Sequence, residues 1–162
     1  IYTLSLHDAL PISIHLIAGA QIVDDVELAV ATRMARQEIF NRLEPPEVRL
    51  YVRQTVLEDP VGGPEIMSAQ LAHLLDLSQR RGVVIRALPK ANATHAGVDG
   101  SFTILQIGQA EYAWSSAVGG GRLVSDPAKV REQRLRYSLI GDDALSRDST
   151  RSLLRELMEA MK

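Results

Sequence analysis

The side chains that could most readily take part in catalysis or binding lie in one polar loop, residues 90–100, with the sequence KANATHAGVDG. His95 and Asp99 belong to this loop, and Ser101 follows it directly. These are the residue types of a hydrolase triad, but bunched in one loop they make a poor one, and no serine sits in a glycine-flanked elbow. As a metal site the pair lacks a third ligand at suitable spacing. We therefore predict no catalytic residue, no metal site and no cofactor. A small hydrolase using His95 and Asp99 remains the alternative.

Other polar groups have simpler structural explanations. His73 lies in a helical pattern beside its apolar face, which is typical of a surface or core histidine. The glycines at 119–121 are not followed at once by a helix or by a Lys-Ser/Thr pair, so they indicate a turn and not a phosphate loop. Arg131, Arg134 and Arg136 have acidic neighbours, which favours a solvated helix face.

The composition limits the class of protein. The chain has 162 residues, which is typical of one domain, and 46% of them are apolar. It contains no cysteine, which excludes disulfides, thiolate metal sites and a cysteine nucleophile. The formal net charge of −2 gives no overall basic character for nucleic acid. No apolar run approaches the roughly 20 residues that a membrane helix needs.

The first twelve residues, IYTLSLHDALPI, do not resemble a natural protein start. They match, residue for residue, the translation of a common short-read sequencing adapter. We therefore interpret residues 1–12 as an artefact and expect them to make few native contacts. On this interpretation residues 13–162 form a single domain, and the upstream part of the gene is missing.

The stretch from 60 to 89 organises the domain. Pro64 suits a first helical position, and Leu71 and Leu74 belong to the apolar face that follows. Gly82 suits a helix end, and the β-branched residues 83–85 then predict a buried, central strand. Residues 49–57 predict the strand before this helix, so the two strands should be parallel.

The remaining elements complete an α+β prediction. Residues 101–107 and 111–118 form a hairpin around Gly108, and 122–124 add a short strand. Further helices begin near Asp24, Asp126 and Ser146. The helix after Asp126 is predicted to bury a set of four apolar residues: Val130, Leu135, Leu139 and Ile140. We predict a mixed, mostly antiparallel sheet of about five strands, with one parallel βαβ crossover and about four helices.

Two aromatic residues extend the polar loop into a candidate recognition surface. Trp114 is the only tryptophan, and Phe102 follows the loop. Together with His95 and Asp99 they would combine an apolar anchor with polar groups, a mixture found in protein interfaces. The competing interpretation is that both aromatic residues belong to the core.

A series of short motifs carries a family resemblance. It comprises 31–37 (ATRMARQ), 60–63 (PVGG), Met67, 70–74 (QLAHL), 88–89 (LP), 95–97 (HAG), 100–102 (GSF) and 144–146 (ALS). In this order the chain resembles, from about residue 20 onward, the C-terminal domain of Xre-type helix-turn-helix regulators. That domain is formally of unknown function, and the proteins are also described as antitoxin-like transcriptional regulators. The family tends to carry acidic residues near positions 54 and 114, whereas Gln54 and Trp114 stand here.

The resemblance implies a function and its partners. We expect a cytoplasmic, bacterial sensor or partner-binding domain that couples a protein or ligand signal to a DNA-binding module. The expected partners are a small protein from a neighbouring gene and a second copy in a homodimer. DNA would be contacted only through the missing N-terminal module, and no membrane is expected. A plain dimerisation module is a further alternative.

Overall fold

The computed structural model describes residues 26–91, 96–97, 100–117 and 120–161. The predictions for residues 1–12, His95 and Asp99 lie outside these ranges. Within them the strands are β1 (Val48–Arg53), β2 (Val83–Leu88), β3 (Phe102–Ile107), β4 (Ala110–Ala117) and β5 (Gly120–Val124). The α-helices are α1 (Val26–Gln37), α2 (Gln54–Glu58), α3 (Pro64–Leu77), α4 (Pro127–Asp143) and α5 (Arg147–Ala160), and a 3-10 helix spans Glu38–Asn41. The predicted α+β class is confirmed.

The parallel crossover is also confirmed. Strands β1 and β2 pair in parallel, from Val48 opposite Val83 to Arg53 opposite Leu88, and α3 connects them. The predicted extension of the first strand to residue 57 is wrong, because the chain turns into α2 after Arg53. This helical turn brings Leu57 into the core, where an extended strand would have carried it past the end of β2.

Helix α3 packs as its apolar spacing predicts. Gly63 has a φ of 100° and Pro64 occupies the first turn, while Gly82 beyond the helix has a φ of 80°. Leu71 is fully buried and Leu74 is buried beside it. They belong to a core shared by α3, α5 and one face of the parallel pair, whose members are Leu50, Val52, Leu57, Met67, Leu71, Leu74, Leu77, Val83, Ile85, Ala87 and Leu154.

The strands form two sheets, β1-β2 and β3-β4-β5, and not one continuous sheet. The connection between α4 and α5 lies along the edge of β2 that does not pair with β1. The Leu145 amide donates to the Ala87 carbonyl at 2.8 Å, and the Ala87 amide donates to Thr150 Oγ1 at 3.0 Å. This connection therefore takes the position that a third strand would need.

Helix α4 packs between the two sheets, with a different buried face from the predicted one. Val130 and Ile140 are buried as expected, but Leu135 and Leu139 are 62% and 48% exposed, so that part of the prediction is wrong. Tyr137 explains the difference, because it packs its ring on Tyr51 of β1 and so turns Leu135 and Leu139 towards solvent. Among the described residues, no helix has the length and apolar character needed to cross a membrane.

Candidate partner-binding face

The hairpin of β3 and β4 separates the two aromatic residues that the sequence suggested as one surface. Phe102 pairs with Ser115, and Thr103 pairs with Trp114. Neighbouring residues of a strand point to opposite faces, so Phe102 and Trp114 lie on opposite faces of the sheet. Phe102 is only 7% exposed and belongs to an apolar cluster with Ile140 of α4, whereas Trp114 is 39% exposed.

The outward side of this sheet forms what we call the Trp face. Its described side chains alternate with the core-facing ones along the three strands: Thr103, Leu105, Ile107, Ala110, Tyr112, Trp114 and Leu123. None of these residues is Asp, Glu, Lys, Arg or His. Ile107 and Leu123 are 67% and 55% exposed. A contiguous apolar surface of this kind is typical of an interaction site.

Trp114 owes its position to a glycine on the next strand. A Cβ built on Gly121 would lie only 2.0 Å from Cζ2 of Trp114. Since Trp114 pairs with Leu123, Gly121 is its diagonal neighbour across β4 and β5. The indole ring therefore lies over the backbone of Gly121. An aromatic ring that covers a glycine in an edge strand also supports the sheet, so Trp114 has a structural role as well.

On the inward side, Arg136 of α4 connects the polar loop to the sheet. Its Nε donates to the Ala96 carbonyl, and its guanidinium carbon lies 5.0 Å from the centre of the Phe102 ring. The prediction of a solvated position for Arg136 is therefore wrong. Arg131 on the same helix is exposed, as expected.

A second inward group, around two tyrosines, was missed by sequence reasoning. The rings of Tyr51 and Tyr137 lie 4.8 Å apart, and Tyr137 Oη donates to the Arg49 carbonyl at 3.1 Å. Burial raises the pKa of Tyr137 above its ordinary value. Gly141 makes room for this pair, since a Cβ there would lie 2.5 Å from Tyr51 Oη. The sequence did carry a signal for this group, because Tyr51 alternates along β1 with Leu50 and Val52, which are buried.

At the carboxyl ends of the parallel strands, Gln54 lies in a small polar network. The Lys90 amide donates to Gln54 Oε1 at 3.3 Å, and Gln54 Nε2 donates to Glu58 Oε1 at 2.9 Å. The Lys90 ammonium forms an ion pair with Glu58. The hydrogen bond within this pair lowers the pKa of the Glu58 carboxyl. An amide at position 54 suits this arrangement, because an acidic side chain could not donate to Glu58 and would repel it.

Metal binding has no support in the part of the chain that the structure describes. There, no three or more His, Cys, Asp or Glu side chains are grouped so that they could hold an ion. His73 is exposed on α3, which agrees with its interpretation as a surface residue.

Comparison with known proteins places the chain in a family. No curated protein and no solved structure matches it. A family model described as a domain of unknown function (DUF5753) matches residues 15–156, which is most of the chain. The protein therefore belongs to the DUF5753 family.

Proposed function

We propose that this chain is the partner-binding domain of a cytoplasmic, antitoxin-like transcriptional regulator in bacteria, without enzymatic activity. Its partner would be a small protein encoded by a neighbouring gene. Binding would be coupled to a helix-turn-helix module that precedes the domain and supplies the DNA contacts. The resemblance to Xre-type regulators supports the regulatory context. The observation that carries the partner-binding role is the Trp face.

The Trp face has the composition of a recognition surface on a rigid support. Trp114 belongs to β4, which is hydrogen-bonded to β3 on one side and to β5 on the other. Its backbone position is therefore fixed before a partner arrives, which lowers the entropy cost of binding. Tryptophan is among the residues that most often dominate interface energetics. Leu123, which lies opposite Trp114 on β5, adds exposed apolar area beside it.

Contacts on the opposite side of the same sheet provide a route for coupling. Phe102 and Ile104 of β3 pack in a cluster with Ile140 of α4. Glu111 of β4 forms an ion pair with Arg134 of the same helix. A partner that shifts the sheet would therefore act on α4 through both apolar and charged contacts.

Three of the described arginines, Arg86, Arg134 and Arg136, have internal contacts that favour a structural role for their side chains. The Arg86 side chain donates to the Leu145 carbonyl at 2.6 Å and also to that of Ala144. Arg134 is paired with Glu111, and Arg136 donates to Ala96. Phosphate contacts by these three side chains would compete with their internal bonds.

The test compares two exposed leucines on different surfaces. Leu123→Lys places a charge in the Trp face, whereas Leu135→Lys places the same charge on the exposed side of α4. We expect Leu123→Lys to weaken capture of the neighbouring gene's product at least about tenfold in a titrated pull-down. Leu135→Lys should bind as wild type, and both variants should keep the wild-type melting temperature. Equal capture by all three proteins would refute the proposal, and so would a loss that only follows unfolding.

A further inference from the structure

We propose that the outer edge of β1 binds an extended acidic segment of a partner protein, which adds to the parallel pair as a third strand. This site is separate from the Trp face, because β1 belongs to the other sheet. The inference therefore does not depend on the proposed function. It rests on open backbone groups along this edge and on two arginines beside them.

The backbone of β1 presents hydrogen-bonding groups on the side away from β2. The Val48 amide donates to the Gly82 carbonyl at 2.8 Å, so Val48 and every second residue after it direct their backbone groups towards β2. The alternate residues, Arg49, Tyr51 and Arg53, therefore direct their amides outward. This outer side is an edge, since β2 is the strand paired with β1 in its two-stranded sheet.

One of the outward groups already accepts a hydrogen bond from outside the sheet. The Tyr137 hydroxyl donates to the Arg49 carbonyl at 3.1 Å. The amide and carbonyl of Tyr51 have no hydrogen-bond partner within the ranges that the structure describes. The connection between α4 and α5 lies along the opposite edge of the pair, so we place the additional strand beside β1. Peptides that add to a sheet edge gain affinity from main-chain hydrogen bonds of this kind.

Two arginines favour a negatively charged strand at this edge. Arg49 and Arg53 lie on the same face of β1, roughly 13 Å apart, and both are exposed. Neither guanidinium forms an ion pair with an acidic side chain in the described ranges, and this includes exposed Glu47 before the strand. Cross-strand neighbours on one face lie about 5 Å apart. Two carboxylates spaced four residues apart on an added strand would therefore meet both arginines.

The same charges argue against a second copy of this edge as the occupant. In an antiparallel pair centred on Tyr51, Arg49 of each copy would lie opposite Arg53 of the other. Like charges in directly opposite positions destabilise a strand pair, and charged side chains on edge strands commonly prevent such pairing. The edge therefore matches a strand of opposite charge and not a copy of itself.

Tyr51 determines the residue that belongs between the two carboxylates. Its side chain lies on the same face as the two arginines and is half-buried, with its ring packed on that of Tyr137. An apolar side chain opposite Tyr51 would extend this contact without exposing a polar group to it. The expected partner segment therefore carries an acid, an apolar residue and an acid at alternate positions.

The experiment measures the fluorescence anisotropy of a labelled peptide, Thr-Glu-Thr-Val-Thr-Glu-Thr with blocked ends, as the 162-residue chain is added. We expect saturable binding that weakens as the salt concentration rises. Arg49→Glu combined with Arg53→Glu should weaken binding at least about tenfold. That double variant should instead bind the matched peptide in which Lys replaces both Glu residues. The control is Arg131→Glu combined with Arg155→Glu, two exposed positions on α4 and α5, which should bind as wild type.

Backbone pairing is tested separately, with two peptides that are N-methylated at alternate residues. Each of them lacks the amides of one strand edge, so one should lose at least about tenfold in affinity and the other should bind as the unmodified peptide. All protein variants should keep the wild-type melting temperature, because both substituted side chains are exposed.

Three results would overturn the inference. The first is no binding of the acidic peptide at concentrations up to about 1 mM. The second is an equal effect of the two N-methylation patterns, which would show that no strand is added. The third is displacement of the peptide by a single-stranded oligonucleotide of the same charge at equal concentration, which would identify a general polyanion site.

Discussion

Arg151 of α5 lies across the carboxyl end of α3 and donates to Ser78, the residue that follows the helix and caps it. Its Nη2 is 2.6 Å from the Ser78 carbonyl oxygen, and its Nε is 3.2 Å from Ser78 Oγ. A cation at this end of a helix satisfies a carbonyl that has no partner within the helix and meets the negative end of the dipole. The contact also joins two helices that are distant in the sequence.

We expect Arg151→Ala to lower the free energy of unfolding by about 1.5–3 kcal/mol, the range for hydrogen bonds from a charged group. Urea titration measures the loss. Arg155→Ala on the exposed side of the same helix is the matched control and should leave the midpoint unchanged. Equal midpoints for Arg151→Ala and wild type would contradict the proposed capping role.

Truncation of a buried leucine of α3 should lower the free energy of unfolding more than Arg151→Ala does. Leu71 is fully buried, so Leu71→Ala should destabilise the protein by about 2–5 kcal/mol, and Leu74→Ala should fall in the same range. The exposed His73→Ala on the same helix is the control, with an expected change below about 0.5 kcal/mol. A loss below about 0.5 kcal/mol for either leucine, in denaturant titration, would count against the core assignment.

Trp114 and Gly121 should be energetically coupled. Gly121→Ala places a methyl group where the indole lies and should cost about 1–3 kcal/mol. Trp114→Ala removes that clash, so Gly121→Ala should cost much less in the Trp114→Ala background. Thermal or urea unfolding of the four proteins gives the coupling energy. Additive effects would show that the ring does not occupy the space above Gly121.

The Glu58 carboxyl should titrate below its ordinary value of 4.5, because Lys90 stabilises its charged form. A lowered pKa in the folded state means that this group contributes stability above about pH 4.5, and that the contribution is lost as the pH falls through the folded value. Lys90→Met should move the Glu58 pKa upward in an NMR titration, and Lys129→Met should not. An unchanged Glu58 titration in Lys90→Met would contradict the ion pair.

The chain by itself should not bind duplex DNA specifically. It has a net charge of −2, and specific binding needs an element that reads bases in a groove as well as phosphate contacts. A gel shift with genomic fragments from the upstream region of the gene tests this expectation. Nanomolar, sequence-dependent binding by the 162-residue chain would place a DNA-reading element within it.

Local signals predicted the first residues of α3, α4 and α5 well, because they act within a few residues. The predicted end of α3 at Gly82 is wrong, since the helix ends at Leu77. Asp126 caps α4 through Oδ1, which accepts from the amides of Ala128 and Lys129, both at 3.0 Å. The buried face of the same helix was not predicted correctly. Its apolar spacing placed Leu135 and Leu139 inside, but the contact between Tyr137 and Tyr51, on a strand far away in sequence, sets its rotation.

The separation of Phe102 from Trp114 could have been predicted. A two-residue turn at Gly108 and Gln109 makes Ile107 face Ala110, and every other pair in the hairpin follows from that one. Counting residues away from the turn shows that Phe102 pairs with Ser115. Trp114 then lies on the other face of the sheet. The division into two sheets could not be found in this way, because it depends on where residues 145–150 pack.

The hydrogen bonds that join Ala87 to Leu145 and Thr150 have a consequence during protein synthesis. Strand β2 leaves the ribosome well before the residues that protect its edge, so the nascent chain carries an unsatisfied backbone amide and carbonyl at Ala87. Exposed strand edges of this kind are sites of aggregation. Translation that stops before residue 145 should therefore yield an aggregation-prone product, whereas a chain that includes residues 145–150 can cover this edge.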